Sequence, residues 1–332
     1  MTRDQLITQL QQEYAQRREQ NLLEYERRTQ EACERCPGLR ALLEARHAAI
    51  LSGVRTSLLA KRKVPEATAG LPDAMAGFNQ QIARALVDAR LAADCLQPVY
   101  TCADCRDEGY LYAPSRRMCP CMARELNQRM LAELGLANDP QTFERFDESL
   151  FSSEPSTGGV SQREVAKANR NVCLRYADAF PATDTRDLLL LGKSGLGKTY
   201  LLHAIAHRVV EGGVMPMYLS AYRFFEQARK AYFDNNSDLL APVMNAPLLL
   251  LDDLGTEPLM QNITITQFFN LLNERQLAGR HTVISTNLTL SELRERYTER
   301  ITSRFLDATS CARLSFIGTD VRRNLKREVK AP

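Results

Sequence analysis

Up to about residue 136, apolar positions recur at helical spacing within polar sequence. Beyond residue 187, solid apolar runs alternate with helical patterns. In the first part, Leu6, Leu10 and Tyr14, then Leu22, Leu23 and Tyr25, repeat every three to four positions in a stretch rich in Gln, Glu, Arg, Leu and Ala. That is an amphipathic helix pattern. Pro37-Gly38 breaks it. A second helix is expected over Leu39–Lys61, with Leu42, Leu43, Ala49, Ile50 and Val54 inward. A connector over 63–72 leads to a third helix, Asp73–Leu96. This is a helical module that either packs on itself or docks a partner. Met122–Leu136 is again helical and stops at Asn138-Asp-Pro140; Ser152–Gly159 is a loop; Ser161–Phe180 is a further helix.

In the second part, Asp187–Leu191 is a short leucine run ended by Gly192, as for a strand buried on both faces. Tyr200–Val210 follows as a helix with Leu201, Leu202, Ile205, Ala206 and Val209 inward. Val214–Ser220 reads as a strand, and Pro216 places it at a sheet edge or a strand start. Ala221–Tyr232 and Thr264–Gln276 are helices; Pro247–Asp253, His281–Asn287 and Ala312–Ile317 are strands. Strands alternating with helices predict an α/β fold with a parallel sheet, which binds ligands beyond the strand carboxyl ends.

Chemistry gathers at those ends. Gly192, Lys193, Ser194, Gly195, Leu196, Gly197, Lys198 and Thr199 read G-x-x-x-x-G-K-T, a P-loop. Glycines let successive N–H groups curl towards phosphate oxygens. Lys198 can reach the β- and γ-phosphates and Thr199 can ligate Mg²⁺. A helix N-terminus would face the same phosphates. A chance glycine turn would lack the strand before and the helix after. About fifty residues on, Leu248–Leu251 runs into Asp252 and Asp253, a Walker B pattern. Asp252 would hold Mg²⁺ and Asp253 would orient or deprotonate the attacking water. His203 and His207, at i and i+4, lack the Glu of a zinc protease and read as structural or surface residues.

Cys102-Ala-Asp-Cys105 and Cys119-Pro-Cys121 stand thirteen residues apart. Four thiolates in two close pairs can wrap one Zn²⁺, with Gly109 supplying a tight turn in the knuckle between them. Free buried cysteines or a redox pair are the alternatives. The Cys33/Cys36 pair stands alone near a helix end and is read without metal.

Composition adjusts this picture in few places. At 332 residues there is room for two domains. A net charge of +3 leaves nucleic-acid binding to local clusters. Such clusters exist: Tyr222-Arg-Phe-Phe225 with Arg229-Lys-Ala-Tyr-Phe233 mixes aromatic and basic residues, as a single-stranded DNA path would, or as a core face beside solvated cations would. Arg322-Arg-Asn-Leu-Lys-Arg327 is a basic tail, either a DNA contact or a solvated end. No apolar run spans a membrane and no signal peptide is seen, so nine cysteines suit a reducing cytoplasm.

Gly192–Thr199, Leu249–Pro258 (LLLDDLGTEP), Ile284–Leu288 (ISTNL) and Leu293–Phe305 (LRERYTERITSRF) together resemble the AAA+ ATPases of the DnaC/DnaI helicase-loader group, to which the IstB transposition helpers also belong. Thr142–Asp147 (TFERFD) resembles that group's entry into the ATPase core, and the paired cysteines resemble the zinc-containing front domain of its DnaI-like members. The likeness is dense over about 140–325, looser over 95–125 and weak before that. It implies an AAA+ core with a five-stranded parallel sheet over 140–332. A helical helicase-binding domain would occupy 1–139, with its zinc module near 100–122. It also implies that Asn287 is sensor 1 and that Arg304 is an arginine finger reaching a neighbouring subunit's nucleotide, with Arg300 a weaker candidate. From residues alone, both arginines would read as part of a salt-bridged helix surface.

Two departures matter. Asp253 stands where many AAA+ enzymes have Glu, which implies slow hydrolysis. Few residues follow Arg304, too few for a helical lid, which suits a switch better than a motor. The resemblance therefore implies an ATP-Mg²⁺-dependent loader of the replicative helicase that self-associates and engages single-stranded DNA. The rival readings are an IstB-like transposition helper, binding duplex DNA and a transposase, and a nucleotide-gated adaptor with negligible turnover.

Overall fold

The computed structural model describes residues 1–59, 71–155, 159–307 and 309–324. The side chain of Val54, most of the expected 63–72 connector and tail residues 325–327 lie outside what is described. The chain forms two compact units, Thr8–Met122 and Met1–Ile7 with Ala123–Pro332.

The first unit is built from helices α1 (Arg3–Arg35, of which Thr8 onward belongs here), α2 (Leu39–Leu59) and α3 (Leu71–Asp88), and a small hairpin of β1 (Tyr110–Leu111) and β2 (Arg117–Met118). Leu6, Leu10 and Tyr14 are buried as their spacing predicts, but Leu22 and Leu23 are 55% and 60% exposed. The reason is local. The stripe Leu10–Tyr14 continues as Arg18 and Asn21, which donate to the main-chain and side-chain oxygens of the buried Asp107 at 3.0 and 2.7 Å. The inward face of that turn is polar, and the leucines beside it point out. Ile50 of α2 is likewise largely outward. The third helix stops at Asp88 rather than Leu96, because Arg90 turns left-handed (φ 53°) and Leu91 N donates back to Leu86 O at 2.8 Å.

The second unit carries α4 (Pro120–Glu133, from Ala123), α5 (Gln162–Ala179), β3 (Asp187–Leu191), α6 (Lys198–Glu211), β4 (Met217–Ser220) and α7 (Ala221–Phe233). These are followed by α8 (Ala241–Asn245), β5 (Leu248–Leu254), α9 (Thr266–Leu277), β6 (His281–Thr286), α10 (Leu290–Leu306) and β7 (Cys311–Ser315). Reciprocal capping boxes start α5 (Ser161 with Glu164) and α10 (Thr289 with Glu292).

The five strands are parallel in the order β4-β5-β6-β3-β7. Strand β4 is an edge and begins just after Pro216, as expected of a proline there. Alternate leucines feed two cores. Leu189, Leu191, Leu249, Leu251 and Ile284 pack with Phe224, Phe268 and Tyr297 on one face. Leu188, Leu190, Leu248, Leu250 and Val283 pack with Leu201, Leu202 and Ile205 on the other. Each fully buried leucine contributes about 1.5–3 kcal/mol. This two-layer burial holds the strand ends, and what they carry, in place.

Candidate nucleotide site and cysteine centre

Strand β3 ends at Leu191 and α6 begins at Lys198; the loop between them turns on glycines. Gly195 and Gly197 sit at φ 75° and 91°, which side chains other than glycine rarely adopt. The Lys198 ammonium is buried, and its bonds are to the loop's own carbonyls, Gly192 O and Lys193 O (2.8 Å to the latter). Burial lowers its pKa, opposed by Asp253 and Asp252. A buried cation resting on the main-chain carbonyls of a glycine-rich loop at a helix start fits a polyphosphate.

Asp252 ends the unbroken buried run of β5, one residue before the exposed Asp253. Thr199 Oγ1 donates to its Oδ1 at 3.2 Å, the Ser285 hydroxyl donates to the same oxygen, and Tyr218 OH donates to Oδ2 at 3.0 Å. A hydroxyl and a carboxylate facing each other at the foot of the loop suit a hard divalent cation. Asp253 lies beyond, exposed, at φ 60°, with its N–H donating to Ser285 Oγ at 2.9 Å. Partial desolvation and the charge of Asp252 raise its carboxyl above the usual range. Asn287, just past β6, is exposed and lines a groove of about 460 Å³ with Gly192, Lys193, Leu196 and Phe316. The loop, both aspartates and Asn287 thus gather at the carboxyl ends of β3, β5 and β6.

Arg304 is elsewhere. Its guanidinium stacks on Phe269 (4.3 Å to the ring centroid) and donates to Asn273 Oδ1 at 2.9 Å and Arg300 O at 2.7 Å. Arg300 lies over the same ring at 5.3 Å. His203 is paired with Asp139 at 2.5 Å, a structural contact. The α7 cluster divides: Phe224 and Phe225 are core, whereas Tyr222, Tyr232 and Phe233 are 52–67% exposed beside exposed Arg223, Arg229 and Lys230.

Sequence reasoning missed a strap over the loop. Val321 N donates to Gly195 O at 2.9 Å, Arg322 donates to Ser194 Oγ at 3.2 Å, and Asp320 lies so close that a Cβ on Gly195 would meet its Oδ1 at 2.0 Å. The Arg322 guanidinium holds the Asp320 carboxyl down to about 2. Gln162 and Asn324 anchor the strap through Thr319 O and Leu150 O. Arg322 is therefore docked on the loop through a turn at Val321–Arg323. The short Asp320-x-Arg322 spacing was the available signal.

In the first unit, the Sγ atoms of Cys102, Cys105, Cys119 and Cys121 all lie within 4.8 Å of one another. Tetrahedral Zn–S bonds of about 2.3 Å require S···S near 3.8 Å, and the Cys102–Cys119 and Cys105–Cys121 separations are 3.9 and 3.5 Å. The donor set therefore fits zinc. Outer contacts fix it: Tyr14 OH donates to Cys121 Sγ at 3.3 Å, and Asp107 accepts from the N–H groups of Thr101 and Cys102, both at 2.8 Å. Gly109 (φ 77°) is tightly enclosed; a Cβ there would meet Met122 Sδ at 2.6 Å. Cys33 and Cys36 belong to a separate apolar cluster.

Residues 161–328, just over half of the chain, match the family described as IstB-like ATP binding protein. Among solved structures, the chain is similar to the DnaC helicase loader (18% identity over 53% of this chain and 97% of that one, TM-score 0.44). It is also similar to DnaI (21%, 52% and 95%, TM-score 0.41) and to AMPPCP-bound DnaA from Aquifex aeolicus (20%, 56% and 52%, TM-score 0.43). No described helix is long and apolar enough to cross a membrane.

Proposed function

The chain belongs to the IstB-like ATP-binding family, and on that footing we propose that it is a slow, switch-like ATPase that loads a replicative DNA helicase onto single-stranded DNA. The observation that carries the ATPase part is the Thr199–Asp252 pair facing the Lys198 cradle. Here the P-loop N–H groups and Lys198 would hold the phosphates, and Thr199 and Asp252 would hold Mg²⁺, which would supply charge neutralisation to the phosphate oxygens. Asp253 accepts the proton of the attacking water and Asn287 orients it. Arg304, parked on Phe269 within its own chain, serves a neighbouring copy, so the chain self-associates through the ATPase domain.

Support for the loader reading comes from the front of the chain. A helical domain (1–139) with a four-cysteine zinc module is an elaborate addition to an ATPase core, and it offers a surface for the helicase. Exposed Tyr222, Tyr232 and Phe233 among cations form a path for single-stranded DNA. The protein works in the cytoplasm. The family match itself favours a second reading, a transposition helper that binds duplex DNA and a transposase.

Size exclusion with light scattering tests the choice. The chain is mixed with the replicative helicase of the same organism, with and without ATP-Mg²⁺. A complex that is lost when residues 8–122, the first compact unit, are replaced by an unrelated helical domain supports loading. No complex in any nucleotide state, with binding to duplex DNA or transposase instead, overturns it.

A further inference from the structure

The buried acid Glu257 takes no part in the chemistry above. It lies in the turn after Asp253 and is 1% exposed. Burying a carboxylate is costly unless every lone pair is answered. Here Tyr297 OH and Arg296 Nε donate to its Oε1, the latter at 3.3 Å, and Gly255 N donates to its Oε2 at 3.0 Å. Arg296 also donates to the Glu257 carbonyl. The turn is closed on its other side by Thr256 Oγ1, which donates to Asp253 O at 2.9 Å. Asp253 and Glu257 are thus held in one hydrogen-bonded turn, fastened to Tyr297.

Tyr297 is 0% exposed, its ring 5.3 Å from Phe268, and Leu293 and Ile301 beside it are equally buried. The residue after it is where α10 breaks. Thr298 sits at φ 69°, ψ 158°, a strained position for a β-branched residue that persists only where the surroundings impose it. Beyond the break the helix resumes, with Thr302 Oγ1 donating to Thr298 O at 3.1 Å, and this second half carries Arg300 and Arg304.

We propose that Glu257 and Tyr297 are positioning residues that join the turn carrying Asp253 to the half-helix carrying Arg300 and Arg304. Nucleotide binding at one end then resets the arginine arm at the other. The link is mechanical: the Glu257 carboxylate cannot shift without breaking bonds to Tyr297, and Tyr297 cannot shift in a packed core without moving the break that follows it. The proposal rests on the nucleotide-site reading above, but it needs neither hydrolysis nor a partner.

Hydrogen–deuterium exchange on the full chain tests it, with a non-hydrolysable ATP analogue and Mg²⁺, at a concentration where light scattering shows a monomer. In the unmodified chain the analogue should slow exchange at 192–199 and, by about threefold or more, at 298–304. In Tyr297→Phe, which removes only the hydroxyl, protection at 192–199 should stay and the response at 298–304 should vanish. Glu257→Gln, which keeps the shape and removes the charge, should behave the same way. Protection at 192–199 with no response at 298–304 in the unmodified chain overturns the link, as does an undiminished response in both variants. Absence of protection at 192–199 sinks the nucleotide-site reading itself, and this inference with it.

Discussion

Asp252 shows how much of a site lies outside its motif. The sequence marks it as a cation ligand, but Tyr218 and Ser285, which fix its two oxygens, reach in from the neighbouring strands β4 and β6, outside the aspartate's own motif. Removing one hydrogen bond to a buried charge costs about 1.5–3 kcal/mol. Ser285→Ala should therefore raise the Mg²⁺ concentration for half-maximal nucleotide binding about tenfold, measured by titration at fixed nucleotide. Lys198→Met keeps the volume and removes the ammonium, so its charge-assisted phosphate contacts go. Nucleotide affinity should fall by at least about tenfold in calorimetry, with little change in the thermal midpoint of the free protein. Gly195→Ala puts a Cβ at φ 75° against Asp320. It should release the strap, read as faster amide exchange over 318–324.

The leucine strands were legible as elements because strands buried on both faces need continuous apolar runs, and few other structures do. Pro216 and the glycines of the phosphate loop were legible for steric reasons. The end of α3 was not, because a left-handed Arg90 carries no sequence flag. Leu22 and Leu23 misled because the inward stripe of α1 turns polar at Arg18 and Asn21, to meet an Asp107 placed there by the cysteine knuckle. The strap was hidden because its contacts are long-range. The knuckle itself yields a prediction. Its hairpin strands are two residues each, too short to stand alone, and a cation held by the four thiolates would supply the order. Metal analysis should find about one zinc per chain. Chelation or Cys119→Ser should open 101–119 to protease while 192–199 stays protected.

Over the whole molecule, stability should depend on pH through two half-buried histidines. Burial lowers the pKa of both His207 and His281 below 6.5. The unfolded chain then binds more protons at acid pH, so stability holds above about 6.5 and falls as pH drops through the folded values. Thermal midpoints taken from pH 8 to 5 should show this fall, and His281→Gln should flatten it. The sheet carries a different consequence. Leu188–Leu191 and Leu248–Leu251 present the same side chain at every position, so sliding one strand by a residue leaves an equally greasy face on each side. The side chains do not set the alignment; the polar ends do. Asp187 Oδ1 accepts from Thr282 N at 2.9 Å at one end, and Asp252 meets Ser285, Tyr218 and Thr199 at the other. The carboxylate assigned to chemistry is also the tooth that indexes the sheet. An alanine there removes the ligand and the index together, and lost activity would not distinguish a dead site from a misaligned one. Asp252→Asn keeps most of the tooth while removing the charge.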